Sequence, residues 1–210
     1  MNEGESFEIY LRALIEWNKK FNLTSLTDPE AIRPKHFADS LLLLQAVELS
    51  DQTLVDIGAG AGFPGLPLKI ARPGLKLTLV EATRKKVDFL DHMIQTLGLR
   101  QAQAVWARAE EFALLHREEF DVAVARAVAE LRVLAELCLP LVRVGGFFVA
   151  YKEVGIEPEI EAARPAIAEL GGRLREVKKF PQRSLVIIDK IAATPARYPR
   201  RAGVAKKKPL

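Results

Sequence analysis

Between Asp51 and Tyr151, short runs of β-forming residues alternate with stretches whose apolar residues recur at helical spacing. Thr53-Leu54-Val55-Asp56-Ile57 is the first run, and a helix is expected after Pro64. Lys76 to Val80, ending at Glu81, is the second; Thr83 can cap a helix bearing Val87, Leu90, Ile94 and Leu97 on one face, with Gly98 as its stop. Ala104-Val105-Trp106, Phe120 to Ala125 and Phe147 to Tyr151 follow, separated by a short helix at Glu110 to Leu115 and one from about Glu130 to Val142. Parallel strands need crossover connections of helical length, so this order predicts an α/β fold with a doubly wound, mostly parallel sheet. After a helix over Pro158 to Leu170, Gly171-Gly172 introduces Arg173 to Phe180 and Ser184 to Asp189, joined by Pro181-Gln182 and predicted to be antiparallel.

The first fifty residues are predicted to be helical. Phe7, Tyr10, Leu11, Leu14, Ile15 and Phe21 share one helix face, and Asp28-Pro29 opens a second helix expected to run to about Val47. The chain therefore divides into a helical segment, 1–50, packed on a core, 51–192, with a basic tail, 193–210. The charge asymmetry lies in that tail. The chain has 31 basic and 27 acidic residues, and Arg197 to Leu210 holds six of the basic ones and no acid, which leaves 25 against 27 in the body. With prolines at 199 and 209 the tail reads as a flexible arm that meets polyphosphate or keeps the protein soluble.

Other classes are disfavoured. Cys138 is the only cysteine, so no intrachain disulfide forms, and His36, His92 and His116 are too scattered to suggest a metal site. The acidic start MNEGESFEIY lacks a signal-peptide core, and no apolar run approaches the ~18–20 residues of a bilayer span, so a cytoplasmic protein is expected. Nothing in the sequence demands more than a monomer.

Asp56-Ile57-Gly58-Ala59-Gly60-Ala61-Gly62-Phe63-Pro64-Gly65 falls where a doubly wound sheet binds its ligand, beyond the carboxyl end of the first strand. It contains GxGxxG at Gly60, Gly62 and Gly65, a weak dinucleotide signal on its own. The register argues against a dinucleotide: the strand ends at Asp56-x-Gly58, and Pro64 removes an N–H from the helix start that a pyrophosphate needs. An acid before Gly-x-Gly-x-Gly resembles the first motif of class I S-adenosylmethionine-dependent methyltransferases, whose cofactor carries a sulfonium instead of a pyrophosphate. Glu81, 23 residues after Gly58, is spaced to accept hydrogen bonds from ribose hydroxyls. Ala109-Glu110 follows the third strand, where it can frame an adenine or begin a helix.

Trp17-Asn18-Lys19-Lys20-Phe21-Asn22-Leu23-Thr24, His36-Phe37-Ala38-Asp39-Ser40, Asp56 to Pro67, Ala107 to Phe112, Ala125-Arg126-Ala127 and Tyr198 to Gly203 occur in that order. Together they closely resemble the glucose-inhibited division protein B family, 16S ribosomal RNA guanine-N7 methyltransferases. The resemblance implies a class I methyltransferase (Rossmann-like) sheet of seven strands with an antiparallel final pair, and S-adenosyl-L-methionine as cofactor. It also implies that Gly58, Gly60, Phe63, Glu81, Ala82, Thr83, Ala109, Glu110 and Arg126 line the cofactor site. The chain departs from the family at Lys152-Glu153, where Lys-Gly is usual, and at Arg183-Ser184, where a basic-His pair is usual.

The residues also narrow the target atom. Pyrimidine C5 methylation needs a cysteine nucleophile, and Cys138 sits among Leu134, Leu137 and Leu141 on an apolar helix face. Amine methylation commonly uses Pro-Pro-aromatic after the fourth strand, where this chain has Ala125-Arg126-Ala127. Guanine N7 has an exposed lone pair and no proton, so methylating it needs positioning and no general base. Arg126, Lys152, Arg197, Arg200 and Arg201 are the candidate contacts to 16S rRNA or the small subunit, with His36 and Asn22 as further ones. Two other readings stay open: an NAD-dependent oxidoreductase and a catalytically silent RNA-binding assembly factor.

Overall fold

The computed structural model describes residues 2–210, and its centre is a seven-stranded sheet in the order β3-β2-β1-β4-β5-β7-β6. Strands β1 (Thr53–Ile57), β2 (Lys76–Glu81), β3 (Ala102–Trp106), β4 (Phe120–Arg126) and β5 (Val142–Lys152) pair in parallel. β7 (Arg183–Lys190) lies antiparallel between β5 and β6 (Gly172–Phe180). The doubly wound sheet and its antiparallel final pair are as expected, and the chain order reverses between β1 and β4, where such sheets bind ligands.

The strands are apolar on both faces because both are covered. Leu54, Val122, Val124, Val149, Tyr151, Leu185 and Ile187 face a core shared with α1 (Glu3–Phe21), α4 (Gly65–Ala71) and α5 (Arg84–Thr96). Their neighbours Val55, Ala123, Ala125, Phe148, Ala150, Val186 and Ile188 face the opposite core, with α6 (Ala109–Leu115), α7 (Leu131–Cys138) and α8 (Glu157–Glu169). Asn2 starts α1 with a reciprocal capping box to Glu5, so the helix begins at Glu3.

Three expectations are corrected. The predicted helix from Asp28 to Val47 is a composite: α2 (Pro29–Ile32), a wide π turn (Arg33–Ala38), α3 (Asp39–Leu41) and a 3-10 turn (Leu42–Gln45). Pro34 has no N–H for the regular ladder, and the widened turn carries Lys35 and His36. The helix predicted to reach Val142 ends at Cys138, because Pro140 cannot continue it; Leu139–Leu141 form a 3-10 turn and Val142 already pairs with Phe120. The tail, expected to be a flexible arm, lies on the body with Tyr198 and Ala205 buried and a short helix, α9 (Val204–Lys207), near its end. Two of its six basic residues are held by body carboxylates, Arg197 by Glu169 and Arg200 by Glu136. Among the described residues no helix is long and apolar enough to cross a membrane.

Candidate active site

The glycine loop after β1 is held by its own backbone. The N–H groups of Gly58 and Ala59 donate to Val80 O at 2.9 and 3.1 Å, and those of Gly62 and Phe63 donate to Ala59 O at 2.7 and 3.0 Å. Gly60 N–H donates to Glu81 Oε2 at 3.0 Å, Gly65 N–H to Asp56 Oδ2 at 2.8 Å, and Pro64 has none to give. A pyrophosphate site needs a nest of free N–H donors, and this loop has spent nearly all of its own. Gly58 must be glycine twice over: its φ is +69°, and a Cβ there would lie 2.6 Å from Val128 Cγ2.

Asp56 is buried under the loop and faces no cavity. Loss of water pushes its carboxyl up to about 7, against the opposing pull of the Gly65 N–H and the Arg126 charge, and its Oδ1 has no hydrogen-bond partner. Its visible work is to tie the start of α4 to β1. Glu81 is the acid that meets ligand space: Oε2 takes Gly60 N–H and Oε1 takes Thr83 N–H at 2.8 Å. Each carboxylate oxygen retains further acceptor capacity.

Glu81 lines a cavity of about 340 Å³ with Gly58, Ala82, Ala109, Glu110 and Val128. The walls suit an adenosine group: two carboxylates for hydroxyls and amines, a bare glycine backbone, and apolar sides from Val133 and Leu137. Two residues far away in sequence, Gly203 and Lys206, complete the wall.

A second cavity, of about 640 Å³, lies across the turn at Ala127, a residue held at φ +56° that lines both spaces. Asp39 organises it: Oδ2 accepts from Arg126 Nη1 at 3.0 Å and Oδ1 from Arg183 Nε at 2.7 Å. Arg126 also donates to His36 Nδ1 at 3.1 Å, and its guanidinium lies 5.0 Å from the Phe63 ring centre. His36 stacks on Phe63 at 4.5 Å, and Tyr10 stacks on the same ring at 5.3 Å. Burial, with Arg126 next to it, lowers the His36 pKa to about 4. The imidazole is therefore neutral at pH 7; Nδ1 lies 3.1 Å from both Arg126 Nη2 and Lys35 O, and Nε2 lies 2.8 Å from Thr24 Oγ1.

The predicted site residues thus separate. Gly58, Glu81, Ala82, Ala109 and Glu110 converge on the smaller cavity, and Gly60 and Thr83 support it through Glu81. Arg126, expected there by resemblance, lines the second cavity, and Phe63, also expected there, is buried against Tyr10 and His36 and lines neither. Lys152 touches neither cavity: it donates to Ala129 O at 3.0 Å and pairs with Glu159 at 2.6 Å, fixing the segment after Ala127. Asn22 is an exposed left-handed C-cap of α1, outside both cavities. Arg197 is exposed but paired with Glu169, Arg200 is held by Glu136, and Arg201 is exposed. Sequence reasoning missed Arg183, Gly203 and Lys206; the basic residue before the last strand was a visible signal for the first and the segment Tyr198 to Gly203 for the second, while Lys206 has no local motif.

The comparisons with known proteins bear on the family and the fold. A family model described as rRNA small subunit methyltransferase G (GidB) matches residues 3–187. A ribosomal RNA small subunit methyltransferase G from Pelotomaculum thermopropionicum is 52% identical, over 97% of this chain and 89% of that one. One from Brevibacillus brevis is 46% identical, over 99% and 91%. Among solved structures, a SAM-dependent methyltransferase from Aquifex aeolicus has a TM-score of 0.63 at 15% identity, over 81% of this chain and 97% of that one. A 16S rRNA N2 methyltransferase from T. thermophilus, in complex with AdoMet and guanosine, has a TM-score of 0.53 at 21% identity, over 75% and 40%. With a family match over most of its length on a class I methyltransferase fold, the chain belongs to the rRNA small subunit methyltransferase G family.

Proposed function

We propose that the protein transfers a methyl group from S-adenosyl-L-methionine to N7 of a guanine in 16S rRNA, with the smaller cavity holding the cofactor and the larger one the target nucleotide. The carrying observation is the glycine loop, whose N–H groups are consumed internally while Glu81 and Glu110 face the adjoining cavity. That pattern suits hydroxyls, amines and a cation and opposes a pyrophosphate, which argues against the oxidoreductase reading.

S-adenosyl-L-methionine supplies a methyl group on a positively charged sulfur. Glu81 accepts from ribose hydroxyls while its bonds to Gly60 and Thr83 keep the loop in register. Glu110, with Ala109, frames the adenine. Across the Ala127 turn, Arg126, Arg183 and Lys35 outnumber Asp39 and Glu153 in the lining of the larger cavity, and Asp39 fixes the two arginines. Arg201 and the other exposed basic residues of the tail supply charge for the rRNA backbone. Guanine N7 enters without a proton to remove, so the protein's task is to align it with the methyl group. Neutral His36 fits that task as a packing and hydrogen-bonding partner of Arg126.

The direct test is transfer of labelled methyl to 16S rRNA or small subunits lacking the modification, followed by nucleoside analysis. Label in 7-methylguanosine at one position is the expected result. Label in another nucleoside overturns the N7 assignment, and cofactor binding without transfer to either substrate turns the reading into a silent binding factor.

A further inference from the structure

The chain leaves β7 at Lys190, at the end of the sheet away from both cavities, since Ser184 at the strand's other end pairs with the carboxyl end of β5. It then returns along the molecule through a series of side-chain anchors. Buried Lys190 donates to Leu139 O at 2.6 Å and meets Glu118 at 3.2 Å, and Glu118 in turn receives Thr194 N–H at 2.8 Å. Arg117 donates to Thr194 O at 2.7 Å and to Tyr198 O. Arg200 is then seized by Glu136 of α7, a carboxylate 1% exposed, through its backbone N–H at 2.9 Å, Nε at 2.8 Å and Nη2 at 2.5 Å. Arg200 also donates to Lys208 O at 2.9 Å, closing the last loop of the chain. Inside that loop Gly203, at φ +79°, directs its N–H to Glu110 Oε1 at 2.7 Å and, with Lys206, stands in the wall of the smaller cavity.

We propose that the C-terminal segment 198–208 is a positioning element of the cofactor site. Arg200, clamped by Glu136, holds the Gly203 N–H on Glu110 and so orients that carboxylate toward an adenine amine. One Glu110 oxygen is committed to Gly203; the other, which has Arg108 Nε at 3.9 Å, remains for the exocyclic amine. A carboxylate fixed in one orientation discriminates an amine donor from a carbonyl acceptor; a carboxylate free to turn does so less well. Arg200 thereby acts through Gly203 and Glu110 and not as a contact to rRNA. This assignment rests on the reading of the smaller cavity as the adenosine site.

The test measures the affinities of S-adenosylhomocysteine and of S-inosylhomocysteine, in which a carbonyl replaces the adenine amine, by titration calorimetry. The wild-type chain, Arg200→Met and Gly203→Ala are compared. The Gly203→Ala variant keeps the fold in view, because a Cβ at that position meets nothing within 4 Å and the substitution disturbs only the left-handed turn. The wild type is expected to prefer the adenosine ligand by at least about tenfold. Both variants are expected to lose most of that preference by weakening for the adenosine ligand while the inosine ligand changes little. A preference unchanged in a folded variant overturns the proposal, as does an Arg200→Met protein that loses rRNA affinity alone. A wild type that binds neither ligand instead overturns the cofactor reading itself.

Discussion

Asp39 and Arg126, 87 residues apart in sequence, form an ion pair at 3.0 Å with side chains only 11% and 9% exposed, and Asp39 holds Arg183 with its other oxygen. One acid from the N-terminal helical segment thus fixes two cations from the ends of β4 and β7. Removing it leaves two largely buried guanidinium groups facing each other without compensation. Asp39→Ala is expected to cost about 3 kcal/mol of stability, the usual scale for breaking a buried pair from one side. Chemical denaturation checks the stability. A binding titration checks the companion expectation that rRNA affinity falls while S-adenosylhomocysteine affinity stays within a few-fold.

Glu81 receives two loop N–H groups and lines the smaller cavity, so its loss removes a ligand contact and releases the loop together. Hydrogen bonds to a charged group contribute about 1.5–3 kcal/mol each. Glu81→Ala is therefore expected to weaken S-adenosylhomocysteine binding by roughly 10–100-fold or more. Glu81→Gln, which keeps one acceptor oxygen, should lie between the variant and the wild type. Calorimetric titration of the three proteins reads this order directly.

At Gly58 the backbone and the packing both resist a side chain. The left-handed φ costs an alanine about 1–2 kcal/mol, and its Cβ would meet Val128 at 2.6 Å. Gly58→Ala is expected to lower the melting temperature and weaken cofactor binding. Gly58→Ala combined with Val128→Ala removes the clash and leaves the backbone strain, so it should recover part of the stability and not all. Full recovery in the double variant would show that sterics alone exclude alanine.

How much of this was legible in advance depends on the range of the interactions involved. The strand at Thr53–Ile57, the turn at Gly58 and the acid at Glu81 are signalled by local period, glycine placement and spacing, and all lie where those signals put them. The burial of Phe63 outside both cavities was not legible, because it depends on which way its ring turns. That is decided by Tyr10 and His36, which come from a different part of the chain. The tail misleads for a related reason: a run of arginines and lysines reads as solvated charge unless the partner acids are known, and Glu136 and Glu169 lie on helices far back in sequence. Sequence period tells where an element is, and tertiary pairing tells what a charge is for.

Two buried groups give opposing pH dependences. The Asp56 carboxyl ionises at about 7 instead of its ordinary 3.8, so the native state holds this proton more tightly than the unfolded chain, and stability falls as pH rises from about 4 to about 7. The full span corresponds to at most ~4 kcal/mol. His36 works the other way. Its pKa of about 4, against 6.5 ordinarily, means that the unfolded chain protonates first, and stability falls as pH drops from about 6.5 to about 4. Asp56→Asn should leave a stability that rises with pH across this window, and His36→Gln one that falls more steeply than the wild type. Denaturation curves collected at half-unit pH intervals separate the two slopes.

The chemistry of the target atom leads to the last prediction. A C5 mechanism requires a cysteine thiolate, yet Cys138, the last residue of α7, is fully buried, and burial holds its thiol well above its ordinary pKa. Cys138→Ala should therefore keep its methyl transfer and lose only the packing of a small apolar group, about 1 kcal/mol. The same reasoning extends to acid–base groups. His36 is neutral at pH 7 but already engaged by Arg126 and Thr24, and N7 carries no proton for it to remove. His36→Gln is expected to lower the rate through weaker placement of Arg126 without erasing it, and the wild-type rate should carry no ionisation step from His36 near neutral pH. A single titratable residue whose replacement abolished turnover, with cofactor and rRNA binding both intact, would show that a proton moves in the rate-determining step and that the target is not N7.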